Sequence, residues 1–481
     1  MPTPLIEALQ RWTAHNHAPF YTPGHKHGRG MGAEFQELWQ TDGLHADLAE
    51  LPGLDNLANP SGPIAAAQNL AAQTFGADHT HFLVNGSTAG IIASILATCS
   101  PGDQILIPRN IHKSVIAGLI HSGAVPIYMQ PEYIPALDIA HSVTPQTVEL
   151  ALQLHPAISA VLIVSPTYYG VSGDIAGIAA VVHQFGIPLL VDEAHGAHFG
   201  FHPDLPPSAL SLGADLVVQS THKLLGAMTQ AAMLHVKGDR IDLDRLNRSL
   251  QLLQSSSPNY LLMASLDSAT AQMATHGKEL LDRTLALTDK ARSELSNIPD
   301  LFPLDFSQPS DGCRYFDPTR LTVTVTDFNL TGYQVDEILC QQYQVVAEMP
   351  VLRHLTFIIS IGNQEWDIEM LVAGFQNLAK HHRVAKKLNL PLCEQIGVLT
   401  PPILTPREAF FARPITVPID GAVERICAEL ICPYPPGIPM LVPGDLVTRE
   451  AIDYLQNILR SGGEIVGNAD PELQSLRVVD R

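Results

Sequence analysis

The chain has 481 residues, enough for about three structural units of ordinary size. With 46% hydrophobic and 16% charged residues and mean hydropathy +0.11, it is a globular chain, not a disordered, collagen-like or low-complexity one. Lysine and arginine number 28 against 48 acidic residues, a formal charge of −20, which opposes nucleic acid or any other phosphate polymer as the main partner. An acidic surface of this kind serves solubility and only weakly favours a cationic small ligand. Cys99, Cys313, Cys340, Cys393, Cys427 and Cys432 form no C-x-x-C pair and are too sparse for a disulfide scaffold, so they read as buried thiols.

The opening MPTPLIEALQRW has no basic segment followed by an apolar one and reads as an amphipathic helix, not a leader. The longest apolar runs, AVLIV (160–164) and PLLV (188–191), are far shorter than the roughly 20 residues that span a bilayer. The expectation is a soluble, cytoplasmic protein. From about residue 60 to 240, short apolar runs (81–84, 104–107, 125–129, 160–164, 187–191, 214–218 and 231–236) alternate with helix-length segments. Strands without in/out alternation belong to a sheet covered on both faces, so the class is α/β with a mostly parallel sheet. After residue 260 a long helical pattern leads to LTVTV (321–325) and LTFIISI (355–361), the pattern of a small α+β domain. A Pro-rich joint, NLPLCEQIGVLTPPILTPREAF, precedes a last unit rich in Pro and Gly. The expected division is an N-terminal segment (1–60), a large α/β domain (61–290), a small α+β domain (291–390) and a C-terminal domain (391–481).

Three features follow in the order that a phosphate-bearing aromatic cofactor requires. NGSTAG (Asn85 to Gly90) lies between a strand and an apolar helix, where small residues and the unpaired N–H groups of the helix start suit a phosphate; an ordinary N-cap is the competing reading. In VDEAHGAH (Val191 to His198), Asp192 ends the strand IPLLV. It can hold a protonated ring nitrogen or simply cap a turn. A third strand runs into Ser-Thr-His-Lys, placing Lys223 at the same rim as a candidate amine of lowered pKa, against the alternative of a surface lysine. The three together point to pyridoxal 5'-phosphate: phosphate cup, ring-nitrogen carboxylate and aldehyde-binding lysine.

The segment STHKLLGAMTQAA (Ser220 to Ala232) resembles the lysine site of the ornithine/lysine/arginine decarboxylases, pyridoxal-phosphate enzymes of fold type I. FYTPGHK (Phe20 to Lys26), PRNIHKS (Pro108 to Ser114), VVAEM followed by FIISIG, and AELICPYPPGIPMLVPGD (Ala428 to Asp445) extend the resemblance over nearly the whole chain. Because it begins almost at FYTPGHK, the expected form is the short one without an N-terminal wing domain. The resemblance implies that Lys223 binds the cofactor aldehyde, Asp192 pairs with the ring nitrogen and His112 stacks on the ring. A helix-start role is the rival reading for His112. It further implies that Gly86, Ser87, Thr88 and Ser220 hold the phosphate, with Ala194, His195 and His222 lining the pocket. Ser255, in SSSP, resembles the stretch by which a second subunit reaches the phosphate, which implies a homodimer or larger homo-oligomer with shared sites.

The H-x-x-H-x-x-x-H series His195, His198 and His202 is not read as a metal site, since Gly196 and Gly200 oppose the helix that such a spacing needs. Tyr168 and Tyr169 fall at another strand end. The leading expectation is decarboxylation of a basic amino acid, arginine before lysine or ornithine, to CO₂ and the amine. Glu348, Glu429 and Tyr434, with Asp445, are candidates to hold its distal cation. Transamination, for which Arg353 is the candidate carboxylate clamp, aldol cleavage, and a silent regulatory homologue remain open alternatives.

Overall fold

Branched and small apolar residues occupy both faces of the central strands, and this dictates the architecture. The computed structural model describes residues 1–15, 17–382, 388, 402–434 and 437–480. Seven strands, β1 (His79–Leu83), β2 (Gln104–Pro108), β3 (Val125–Met129), β4 (Ile158–Val164), β5 (Leu189–Asp192), β6 (Leu216–Gln219) and β7 (Ala232–Val236), form one sheet in the order β1-β7-β6-β5-β4-β2-β3. The pairs among β3, β2, β4, β5 and β6 are parallel, and β7 runs antiparallel to both of its neighbours. Along β4, Ala160 and Leu162 enter one buried cluster, with residues of α2 (Gly86–Thr98) and α3 (Lys113–Ser122), while Val161 and Ile163 enter another with α4 (Ile175–Gln184). Neither face meets water, so the strands carry continuous apolar runs, as expected for helix-covered parallel sheets. Gly90 shows how close the cover lies: a Cβ there would sit 2.6 Å from Leu83 Cδ1 and 2.8 Å from Val218 Cγ1.

The chain leaves this core along one helix, which follows α5 (Thr221–Leu224) and spans Tyr260–Ser296 as α6. Its first half, through Tyr260, Met263 and Leu266, packs with Leu5 and Leu9 of the amphipathic α1 (Pro4–Thr13), and its last turns, through Ala291 and Leu295, join a second core. That core lies under an antiparallel sheet of β8 (Phe302–Pro303), β9 (Arg320–Thr324), β10 (Met349–Pro350) and β11 (His354–Ile358), in the order β8-β9-β11-β10. Leu321, Val323, Leu355 and Phe357 pack there against α7 (Gly332–Tyr343) and α8 (Glu365–His382). The expected Pro-rich joint lies mostly outside the described residues. Beyond it, β12 (Pro414–Pro418) pairs with β15 (Ser475–Val479) and β13 (Cys432–Tyr434) with β14 (Glu464–Val466), around a cluster that includes Leu455 of α9 (Arg449–Arg460). Cys99, Cys313, Cys427 and Cys432 are buried free thiols, but Cys340 is exposed on α7; Cys393 lies outside the described residues.

An ion pair joins the last unit to the sheet, beside the bonds of Arg407 to the Ile120 and His121 carbonyls. Arg109, directly after β2, donates from Nη2 to Asp445 Oδ2 at 2.5 Å and to the Met440 carbonyl at 3.3 Å, with its guanidinium 5.0 Å from the Tyr128 ring centre. Asp445 also accepts the Val442 amide at 3.0 Å. Both charges are shielded from water, so removing one partner strands the other. Arg109→Met and Asp445→Ala should each cost about 3–5 kcal/mol in urea unfolding. An Arg109→Met/Asp445→Leu double variant should lose clearly less than the sum of the two, and strict additivity would show that the pair is not what joins the units.

Candidate active site

Six of the seven strands point the same way, so the loops after β1, β5 and β6 meet at one rim, where ligands of open α/β sheets bind. They enclose a cavity of about 220 Å³ lined by Gly86, Ser87, Thr88, His112, Asp192, Ala194, His195, Ser220, His222 and Lys223, together with Ser114, Val164, Pro166 and Tyr168. Ten of the eleven expected cofactor residues therefore come together. Ser255 does not. It is exposed, and its amide donates to Asn85 Oδ1 of the same chain at 3.1 Å, which places it behind the start of α2 and outside the cavity.

Each group is positioned by its local fold. Gly86 has φ +72°, a left-handed conformation that a side chain resists, and it turns the chain from β1 into α2. The Ser87 and Ser220 hydroxyls from two different loops lie 2.6 Å apart at that helix start. His112 is the N-cap of α3: its Nδ1 accepts the Ser114 amide at 3.2 Å, so the helix-start reading is correct and the ring lines the cavity as well. With Nδ1 accepting, burial and the neighbouring Lys223 push the ring's pKa down to about 4, leaving a neutral imidazole. His222 anchors its Nδ1 on the Ala231 carbonyl at 2.9 Å.

Asp192 ends β5 almost fully buried, and its Oδ1 accepts the Ala194 amide at 3.1 Å. The turn-capping reading is thus also correct, and one oxygen serves the turn. Burial raises its pKa while the Lys223 charge and the Ala194 N–H lower it. On balance burial prevails, and the carboxyl's pKa stands above its ordinary value. Lys223 Nζ lies 2.8 Å from His195 Nε2. Burial pulls the amine down to about 8, Asp192 and Glu348 acting against that and Arg320 with it. His195 is also held neutral by burial and by the Lys223 charge. A buried amine of lowered pKa, a buried carboxylate beside it, a neutral imidazole and a hydroxyl-lined helix start fit an aldehyde-bearing pyridine with a phosphate arm.

The substrate candidates separate. Glu348, exposed just before β10, acts electrostatically on Lys223, His222, Arg320 and Tyr168, but it is not among the residues lining the cavity and lines a separate one with Phe357 and Trp366. Tyr434 is exposed at the end of β13, and Gly437 lies beside both it and His112: a Cβ there would sit 3.8 Å from Tyr434 Cδ2 and 3.9 Å from His112 Cδ2. The assignment of Glu429 is corrected: its buried carboxylate accepts the Ala469 amide at 2.7 Å and the Arg477 amide at 2.9 Å, so it binds the C-terminal unit's own loops. Asp445 is likewise committed to Arg109. Arg353 lines a neighbouring cavity of about 250 Å³ with Asp138, Tyr169 and Tyr333, away from Lys223. Of the histidine series, His195 touches Lys223, His198 pairs with Asp317 at 3.1 Å and His202 with Asp282 at 2.8 Å. No three metal-ligating side chains gather among the described residues. Sequence reasoning missed Arg320, whose only signal was a basic residue opening an apolar strand, and Glu193, whose buried carboxyl joins Gln219 at 2.7 Å and the Ala209 amide at 2.7 Å.

Comparison with known proteins decides the family. The model of the Orn/Lys/Arg decarboxylase major domain matches residues 3–309, and that of the same family's C-terminal domain matches 397–475. This chain belongs to the Orn/Lys/Arg decarboxylase family. It is 38% identical to the arginine decarboxylase of Bacillus anthracis over 99% of this chain and 97% of that one, and 38% identical to the arginine decarboxylase of Bacillus subtilis over 99% and 98%. The solved lysine decarboxylase A of Pseudomonas aeruginosa superposes with a TM-score of 0.85 at 23% identity, covering 99% of this chain and 80% of that one. The fold is therefore fold type I of the pyridoxal-phosphate enzymes, as the sequence led us to expect.

Lowered basicity at Lys223 has a stability signature in cofactor-free enzyme. The folded amine titrates near 8 and an unfolded lysine near 10.5, so between these values the unfolded chain binds a proton that the folded chain lacks, and stability rises with pH. The wild type should gain on the order of 3 kcal/mol relative to Lys223→Met between pH 8 and 10.5. A flat difference between the two urea-unfolding curves would place the amine in water.

Proposed function

We propose that this member of the Orn/Lys/Arg decarboxylase family removes the α-carboxylate of arginine, and of lysine less well, as CO₂, leaving the corresponding amine. The observation that carries this reading is the buried Lys223 amine, 2.8 Å from His195, in one cavity with Asp192 and within electrostatic reach of Glu348. The arginine preference is supported by the names of the two Bacillus relatives, which match this chain from end to end. Bound pyridoxal phosphate supplies the sink for the electron pair left when CO₂ departs.

The chain's residues set up that departure. Lys223 Nζ would hold the aldehyde, and the N–H groups at the start of α2, with Ser87, Thr88 and Ser220, would hold the phosphate. Asp192 would hold the proton of the ring nitrogen, and the neutral His112 imidazole would pack against the cofactor ring. Neutral His195, against Nζ, passes a proton to or from that amine. Glu348 takes the distal cation as a charge-assisted contact, which suits the forked guanidinium of arginine better than a point charge. Tyr434 closes the mouth. Transamination is disfavoured because no arginine is among the described residues lining the cavity. We also infer a cytoplasmic homodimer in which Ser255, too far back for its own cavity, serves the second subunit's phosphate. No described helix is long and apolar enough to cross a membrane. The four-part division expected from the sequence remains our reading of the domains, although Leu5, Leu9 and Leu54 of the first segment share one buried cluster with Phe82, Met233 and Tyr260 of the large domain.

Borohydride reduction followed by peptide mapping should place the pyridoxyl group on Lys223, and a label on any other lysine would reject the assignment. Asp192→Asn should keep part of the cofactor and lose about 10²-fold or more in kcat, as when one preorganised electrostatic contact is removed. Wild-type turnover in that variant would mean that another group protonates the ring. Mass spectrometry of the products from arginine, lysine and ornithine identifies the substrate. Glu348→Gln should lower kcat/KM for the preferred one by roughly 10- to 100-fold, whereas equal small losses on all three would remove Glu348 from the site.

A further inference from the structure

Arg320 opens β9 and is 1% exposed, one of the most deeply buried side chains of the molecule. Its Nη2 donates to the His195 carbonyl at 3.3 Å, its Nε lies 4.0 Å from Asp317 Oδ2, and Nε has no hydrogen-bond partner among the described residues. Asp317 in turn meets His198 Nε2 at 3.1 Å and takes the Thr319 amide and hydroxyl at 3.0 and 2.7 Å. On its other side Arg320 presses on the loop that carries Tyr168. A Cβ on Gly170, at φ +83°, would come within 2.9 Å of Arg320 Cβ and 2.8 Å of the Asp317 carbonyl, and the Asp317 amide donates to the Gly170 carbonyl at 2.8 Å. Tyr168 packs on His195 with ring centres 4.7 Å apart. The small domain thus places one cation between two active-site loops, close behind the wall that holds Lys223.

Packing alone does not call for a charge in that position, since an apolar side chain of similar volume usually serves a buried site as well or better. The groups that face Lys223 are the carboxylates of Asp192 and Glu348, the imidazoles of His112, His195 and His222, and Arg320. Both carboxylates favour a protonated Lys223 nitrogen; Arg320 is the fixed cation opposing them. We propose that Arg320 is a positioning residue: it holds the His195 carbonyl so that the ring meets Nζ, and its charge keeps the Lys223 nitrogen from retaining its proton. This deepens the cofactor reading above and does not depend on which amino acid is consumed.

The test is the pH titration of the holoenzyme's visible absorbance band, which reports protonation at the Lys223 nitrogen without turnover. Arg320→Gln should move the midpoint up by about 1 pH unit, as expected when a like charge leaves a buried amine. Because Arg320→Gln takes the guanidinium away from the buried Asp317 while His198 and Thr319 remain, an Asp317→Asn/Arg320→Gln variant removes both charges together and should shift the same way. Arg320→Lys should titrate within about 0.3 unit of wild type, because charge is kept. A midpoint that stays or falls in whichever neutral variant folds overturns the proposal. A lysine variant that shifts as far as the glutamine one also does, since shape and not charge would then be at work. The wild-type band is the reference whatever the substrate, so an error in the arginine assignment leaves the test intact.

Discussion

The desolvation of one amine organises this molecule. Water around Lys223 would restore an ordinary lysine, protonated and unreactive at neutral pH; burial brings its pKa to about 8. That burial needs walls from three parts of the chain. The sheet supplies Asp192 and the start of α2, the loop after β2 supplies His112, and the loop before Gly170 supplies Pro166 and Tyr168, while Arg320 of the small domain stands behind them, bonded to the His195 carbonyl. The sheet holds its share rigidly, because β5 and β6 are covered on both faces and their ends have little freedom.

Several side chains carry two duties, one local and one chemical. His112 caps α3 and lines the cavity; Asp192 caps its own turn and faces the ring site. The economy has a physical reason: a polar group buried at a strand end must find a hydrogen-bond partner, and the nearest are the amides of the following turn. The cap fixes the rotamer, and the remaining nitrogen or oxygen is left aimed at the ligand. His195 differs, for its Nδ1 has no partner and its orientation rests on the loop backbone that Arg320 holds.

The C-terminal unit belongs to this arrangement through Arg109. The arginine stands three residues before His112, so the ion pair that docks the unit on the sheet also brings the Tyr434 and Gly437 loop against His112. Stability and access to the site are therefore coupled through one short stretch, PRNIHKS.

Much of this was legible in the residues themselves. Apolar runs without alternation specify a covered parallel sheet, and strand-end placement put NGSTAG, Asp192 and Lys223 at one rim, because local periodicity and chain direction are properties of short segments. Ser220 and His222 came with Lys223, their neighbours in the chain. What only the tertiary structure decided involves contacts across long separations. Arg320 reaches His195 from 125 residues away, and nothing in TRLTV distinguishes it from a surface arginine. Glu429 and Glu348 are equivalent as letters; one is consumed by two backbone amides and the other, exposed, is within electrostatic reach of Lys223. A charge's role depends on what surrounds it, and the surroundings are assembled only when distant segments pack.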